Sequence, residues 1–177
     1  MKKQSFKSDI VESFRVLESF SEFLRKLSSD ILKDDRLAVI IVCAGAELVL
    51  NFLVKKLCKH GSYFSSKNRA FMTKVRILDE FGVIDEKLFN NLNGLKTLRD
   101  KAAHHPDKEL EWESKFAFDK ESNVYKGTVE VFGEPKDLVG YLYCVWNTFF
   151  MVAVKVNAKK EFGKIVVAHK KLTKNNK

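Results

Sequence analysis

Apolar residues recur at helical spacing along the first hundred positions. Ile10, Phe14, Leu17, Phe20, Leu24, Leu27 and Ile31 fall every three to four residues behind Ser8-Asp9, a pair suited to capping a helix. This first helix is predicted to end near Leu32. Asp34-Asp35 caps a second helix, which Gly61 stops after Lys59-His60. Its middle, residues 37–53, is apolar on most faces, which predicts the central, most buried helix. A third helix is predicted over residues 69–81, with Phe71, Val75 and Leu78 inward and Gly82 as its stop. Asp85 caps a fourth, which carries Leu88, Leu92, Leu95, Leu98 and Ala102. It should end before Pro106, because the residue preceding a proline avoids the α region.

The period changes between the only two prolines, Pro106 and Pro135. Phe116 and Phe118 alternate with polar residues, a polar turn follows at residues 120–123, and Tyr125, Val129 and Val131 then stand against Lys126, Thr128 and Glu130. That alternation predicts a β-hairpin over about residues 112–132. Pro135 and Asp137 start a last helix through Tyr141, Val145, Phe149 and Val152 to about Lys159. The short apolar piece Ile165-Val166-Val167 precedes an end expected to fray. The predicted fold is mainly α: an up-and-down helical bundle of about five helices with a β-hairpin insert before the last helix. Residues 1–160 form one domain and residues 161–177 a short basic tail. The fifteen phenylalanines are ample for a core in a chain of 177 residues.

Composition narrows the class. Hydrophobic residues make up 45% and charged residues 31%, which excludes a disordered polymer. The longest apolar runs, residues 37–45 and 141–154, are interrupted before the roughly 18 residues a bilayer span needs, so no membrane is expected. Met1-Lys2-Lys3 is basic, but no apolar signal core follows. Cys43, Cys58 and Cys144 lack metal-ligand or CxxC spacing, and only four histidines accompany them. The expectation is a reduced, cytoplasmic protein with no metal and no cofactor. The net charge of +9 invites nucleic acid, but its position matters more than its size. Residues 55–76 carry +7 without one acid, residues 155–177 another +7, and the remainder is neutral or mildly acidic.

The chemistry concentrates in Leu98-Arg99-Asp100-Lys101-Ala102-Ala103-His104-His105-Pro106. Arg99 and His104 are five apart, about 140° around an ideal helix, so they are not same-face neighbours. They converge only if the last turn distorts, or if two copies meet. R-D-K-A-A-H resembles the arginine–histidine motif of the HEPN superfamily, helical-bundle proteins of prokaryotic defence and toxin systems. D-D-R-L-A-V-I-I-V-C-A-G-A-E-L-V-L, then F-S-S-K-N-R-A-F-M-T-K-V-R-I-L-D-E-F-G-V-I, then L-N-G-L-K-T-L-R-D-K-A-A-H is similar to the branch that includes mannitol-operon-repressor-like proteins. The likeness covers about residues 31–106. It implies a metal-independent endoribonuclease whose arginine and histidine meet at a homodimer interface, with an antitoxin or regulatory protein as partner. It also allows a non-catalytic regulator that binds protein or nucleic acid. Under the first reading Arg99 holds the scissile phosphate, since a guanidinium fork matches phosphate oxygens. His104 is the acid or base, with His105 a substitute, and Asp100 orients one of the pair. Without the resemblance, cations in a last helical turn are already favoured by the helix dipole.

Two further features bear on a site. Glu47 is the only charge in residues 37–54 and needs a partner; Arg99 is one candidate, and the equal alternative is that Glu47 lies on a polar edge of the helix or pairs with a nearby lysine; Asn51 one turn on could share either fate. Lys55, Lys56, Lys59, Lys67, Arg69, Lys74 and Arg76 interleave with Tyr63, Phe64 and Phe71. Cations beside aromatics suit single-stranded RNA, against the plainer reading of a solvated helix face with Phe71 in the core. The lysines of the tail add at most a salt-sensitive attraction to nucleic acid, or are simply solvated.

Overall fold

The computed structural model describes residues 15–20, 22–24, 34–58, 60–61, 70–105, 107, 109–112 and 115–174; for residues 131–132 and 159–174 it describes the backbone alone. Six helical elements form a bundle, and no strand occurs among the described residues. They are α1 (residues 15–20 and 22–24), α2 (Asp35–Leu57), α3 (Phe71–Glu80), α4 (Glu86–His104), α5 (Asn123–Phe132) and α6 (Leu138–Lys174).

α2 is the central helix, as its all-round apolar pattern predicts. It packs against α6, α4 and α3 and buries Val39, Val42, Ala46, Val49, Leu50 and Leu53. Its cap is Asp34, whose carboxylate accepts from the Arg36 and Leu37 N–H groups at 2.9 and 3.2 Å. Gly45 leaves room for two aromatic rings: a Cβ there would stand 2.1 Å from Phe20 of α1 and 2.8 Å from Trp146 of α6. The helix ends at Leu57 with Cys58 as its cap, so Gly61 is not the stop that the sequence suggests. Both α2 and residues Leu138–Ala158 of α6 are long and apolar enough to cross a membrane, despite their interruptions. In α2, 61% of that stretch is buried against the rest of the protein, as in any core helix.

α3 and α4 follow the prediction closely. Phe71, Val75 and Leu78 are buried, as are Leu88, Leu92, Leu95, Leu98 and Ala102. Gly82, at φ +59, closes α3 with Gly82 N–H donating to the Asp79 carbonyl and Val83 N–H to that of Leu78. This is the paired-bond ending that favours glycine in the left-handed region. Asp85 caps α4 through Leu88 N–H at 2.8 Å. The start proposed for the first helix at Ser8-Asp9, and its Ile10, Phe14, Leu27 and Ile31, lie outside the described residues; Leu17 and Leu24 are buried.

The hairpin is not there. Residues 115–119 run without regular structure along α4, and residues 123–132 form α5. Two features hold the first part. Asn91, buried on α4, donates its amide to the Ala117 carbonyl and accepts from Ala117 N–H, both at 2.8 Å. Gly94 lets the backbone come close, since a Cβ there would meet the Lys115 carbonyl oxygen at 2.7 Å. One side-chain amide thus plays the part of a paired strand. Trp112, Phe116 and Phe118 gather around Tyr141 of α6, with ring centroids 5.1–6.3 Å apart. In the second part Ser122 caps the helix through Tyr125 N–H, and Tyr125 and Thr128, one turn apart, are buried. Burial on a helix stripe outweighs the β propensity of the valines. α6 begins with Asp137 accepting from Gly140 N–H, as predicted, but continues to Lys174 rather than stopping near Lys159.

Replacing Asn91 by Ala should cost about 1–2 kcal/mol through loss of both bonds to Ala117. Urea unfolding should show the loss and amide exchange at Ala117 should speed up; an unchanged midpoint would mean the segment is held by its aromatics alone.

Candidate functional site

The residues singled out by the motif stand on the last two turns of α4. α4 stays regular to its end, where His105 N–H donates to the Lys101 carbonyl at 2.9 Å. The last turn therefore does not distort, and Arg99 and His104 keep their separation of about 140° within one chain. His104 and His105 are both exposed. Arg99 is half-exposed, with its Nε 3.4 Å from Asp100 Oδ1, and Asp100 also pairs with Lys96 one turn back.

Arg99 also faces α2. Burial pushes the Cys43 thiol up to about 11, against the pull of the nearby Arg99 guanidinium. Glu47, one turn along α2 from Cys43, does not take Arg99 as its partner. Its Oε1 accepts from Lys74 Nζ at 2.9 Å; Lys74 is 0% exposed while Glu47 remains half-open to solvent. Asn51, a further turn along, has a buried Oδ1 with no hydrogen-bond partner. Cys43, Glu47 and Asn51 form one polar edge on an otherwise apolar helix, set where α3 and α4 meet it.

The cationic block is thinner than its sequence suggests. Lys74 lies inside, and Lys56 is also buried, hydrogen-bonded to Asn157 of α6 with its ammonium 5.4 Å from the Phe52 ring centre. As placed, neither reaches a phosphate. Lys55 is half-buried and Arg76 exposed, whereas Lys59, Lys67, Arg69, Tyr63 and Phe64 lie outside the described residues. Phe71 is in the core. Among the described residues no three metal-ligating side chains cluster.

Arg36 completes the site and was not anticipated. Its Nη1 donates to the carbonyls of Ala102 and His105, at 3.4 and 3.1 Å, and so fastens the end of α4 to the start of α2. Those carbonyls are among the ones a helix end leaves unpaired. The signal was present: a cation in the first turn of a helix opposes its dipole, so Arg36 must serve another element. Comparison with family models, curated proteins and solved structures finds no match for this chain.

Substitution of the Lys74–Glu47 pair, of which only the lysine is buried, should be asymmetric. Glu47→Gln leaves the Lys74 ammonium buried without a counter-charge and should cost about 3 kcal/mol, whereas Lys74→Met should cost less than about 1 kcal/mol. Equal losses in denaturant unfolding would contradict the pairing. The thiols give a pH test. Burial raises Cys43 and Cys144 from 9.0 to about 11. The unfolded chain therefore ionises first, and stability should fall as pH rises from about 9; the fall should continue past 11, because burial also holds the Tyr125 and Tyr143 hydroxyls above their usual value of 10.0. At neutral pH, iodoacetamide should modify half-buried Cys58 first and leave the other two intact until unfolding.

Proposed function

We propose that this protein is a metal-independent endoribonuclease of HEPN type that works in the cytoplasm as a homodimer, as a component of prokaryotic defence or of a toxin–antitoxin pair. The observation that carries this reading is the open C-terminal end of α4, where Arg99, Asp100 and His104 stand at the surface on a helix that stays regular to its last residue. One chain cannot aim Arg99 and His104 at the same atom, so the working pair is drawn from two copies. Arg99, held at Nε by Asp100, offers its remaining fork to the scissile phosphate. His104 takes the proton of the ribose 2′-OH as that oxygen attacks phosphorus, or supplies the proton to the departing 5′-oxygen. The products are a 2′,3′-cyclic phosphate and a 5′-hydroxyl, and no metal is required. In this scheme Glu47 does not touch RNA; paired with Lys74, it is a positioning residue for the edge of α2 against which Arg99 rests. Arg76 and Lys55 extend the contact surface, with Lys59, Lys67 and Arg69 as its remaining candidates.

A second reading is a non-catalytic regulator resembling the mannitol operon repressor, binding a protein or nucleic-acid partner through the same bundle. The engagement of Arg99 with Asp100 and Cys43, and the internal places of Lys56 and Lys74, favour it, because each has a structural use.

Cleavage of single-stranded RNA in the presence of EDTA separates the two. The wild type should cut and leave a cyclic phosphate, while His104→Ala and Arg99→Ala should each lose on the order of a hundredfold or more. A wild type that binds RNA without cutting supports the regulator, and equal rates in wild type and His104→Ala refute the catalytic assignment.

A further inference from the structure

At the opposite end of α4 a cavity of about 490 Å³ opens where the first turns of α4 and α5 meet the middle of α6. That volume falls within the roughly 300–1,000 Å³ typical of small-molecule sites. Leu88 lies eleven residues before Arg99, about 16 Å along the helix axis, so this is a separate place from the Arg99 region. Its walls are mostly apolar, with Ile84, Leu88, Phe118, Val124, Val152 and Val156 contributing.

The polar groups of the wall divide into two sets. Asp85 and Asp119 are acids, but each already accepts a backbone N–H, from Leu88 at 2.8 Å and Glu121 at 3.2 Å. Asn91 is occupied by Ala117, the Ser122 hydroxyl by Tyr125 N–H, and Tyr125 OH donates to Glu134 at 2.7 Å. The second set is Lys87 on α4 and Lys155 on α6. Both are exposed and neither is ion-paired among the described residues; Thr148 between them and the apolar wall keeps an uncommitted hydroxyl. The starts of α4 and α5 border the same space, but each is already capped, by Asp85 and Ser122.

We infer that this cavity binds a small organic anion with an apolar body, of the class of medium-chain carboxylates. The hydrocarbon part lies against Leu88, Phe118 and Val152, and the carboxylate meets Lys87 and Lys155 at the rim. Charge complementarity selects the anion: the acids of the wall are tied to backbone N–H groups, Asp85 as the cap of α4 and Asp119 on Glu121, while Lys87 and Lys155 have no acid partner among the described residues. This inference is independent of ribonuclease activity and survives its failure.

Calorimetric titration of the full chain with decanoate and with decylammonium tests it. Decanoate should saturate at one per chain and bind about tenfold more tightly than decylammonium, and Lys87→Glu/Lys155→Glu should weaken decanoate by about tenfold or more. Those two side chains are exposed, so the double variant should keep its circular dichroism. Val152→Trp, which fills the cavity, should remove decanoate binding in a chain that remains helical. No saturable binding by the wild type, equal binding of the two probes, or decanoate binding unaltered in both variants would overturn the proposal.

Discussion

A charge enclosed among helices needs a counter-charge, and this constraint where α3 meets α2 organises the bundle. The fully buried ammonium of Lys74 needs Glu47, the one charge in the apolar middle of α2. Such a pair adds little net stability but penalises any register that separates its members, because a lone buried charge is costly. It therefore fixes α3 against α2. α4 packs along α2 and is fastened to it by Arg36, which donates to the terminal carbonyls of α4. The Arg99–His104 segment is thus held against the same helix that carries Glu47.

Much of this frame was legible in the sequence because it rests on local chemistry. Asp34, Asp85 and Asp137 cap helices through bonds spanning two or three residues, and Gly82 turns through a conformation that favours glycine. The apolar stripes of α3 and α4 needed only a period. The insert was misread because its decisive contacts are distant: Asn91 lies 26 residues from Ala117, and the burial of Tyr125 and Thr128 outweighs their strand-like alternation. Ser122, a good cap ahead of that helical stripe, was the overlooked local sign.

The candidate site was readable as residue types, less so as partners. Lys74 follows Phe71 by three and precedes Leu78 by four, which is a core-facing place on a helix; counted only as a charge, it looked external. Lys56 stands likewise one turn after Phe52. Glu47 had two equal candidates, and the structure pairs it with lysine. The net charge of +9 is therefore a poor guide to the surface, since two of its cations are buried, Lys74 against Glu47 and Lys56 against Asn157. α4 emerges as a two-ended element, with cations and histidines at its C-terminus and an apolar cavity at its start.

The C-terminal end of α4 is the proposed place of contact with RNA. Amide chemical-shift mapping with a short single-stranded RNA, blocked against cleavage by 2′-deoxy substitution, tests this most directly. Shifts should centre on Arg99, Asp100 and His104 and extend to Arg76 and Lys55. Shifts confined to the opposite end of α4 or to the tail lysines, or none at all, would contradict it.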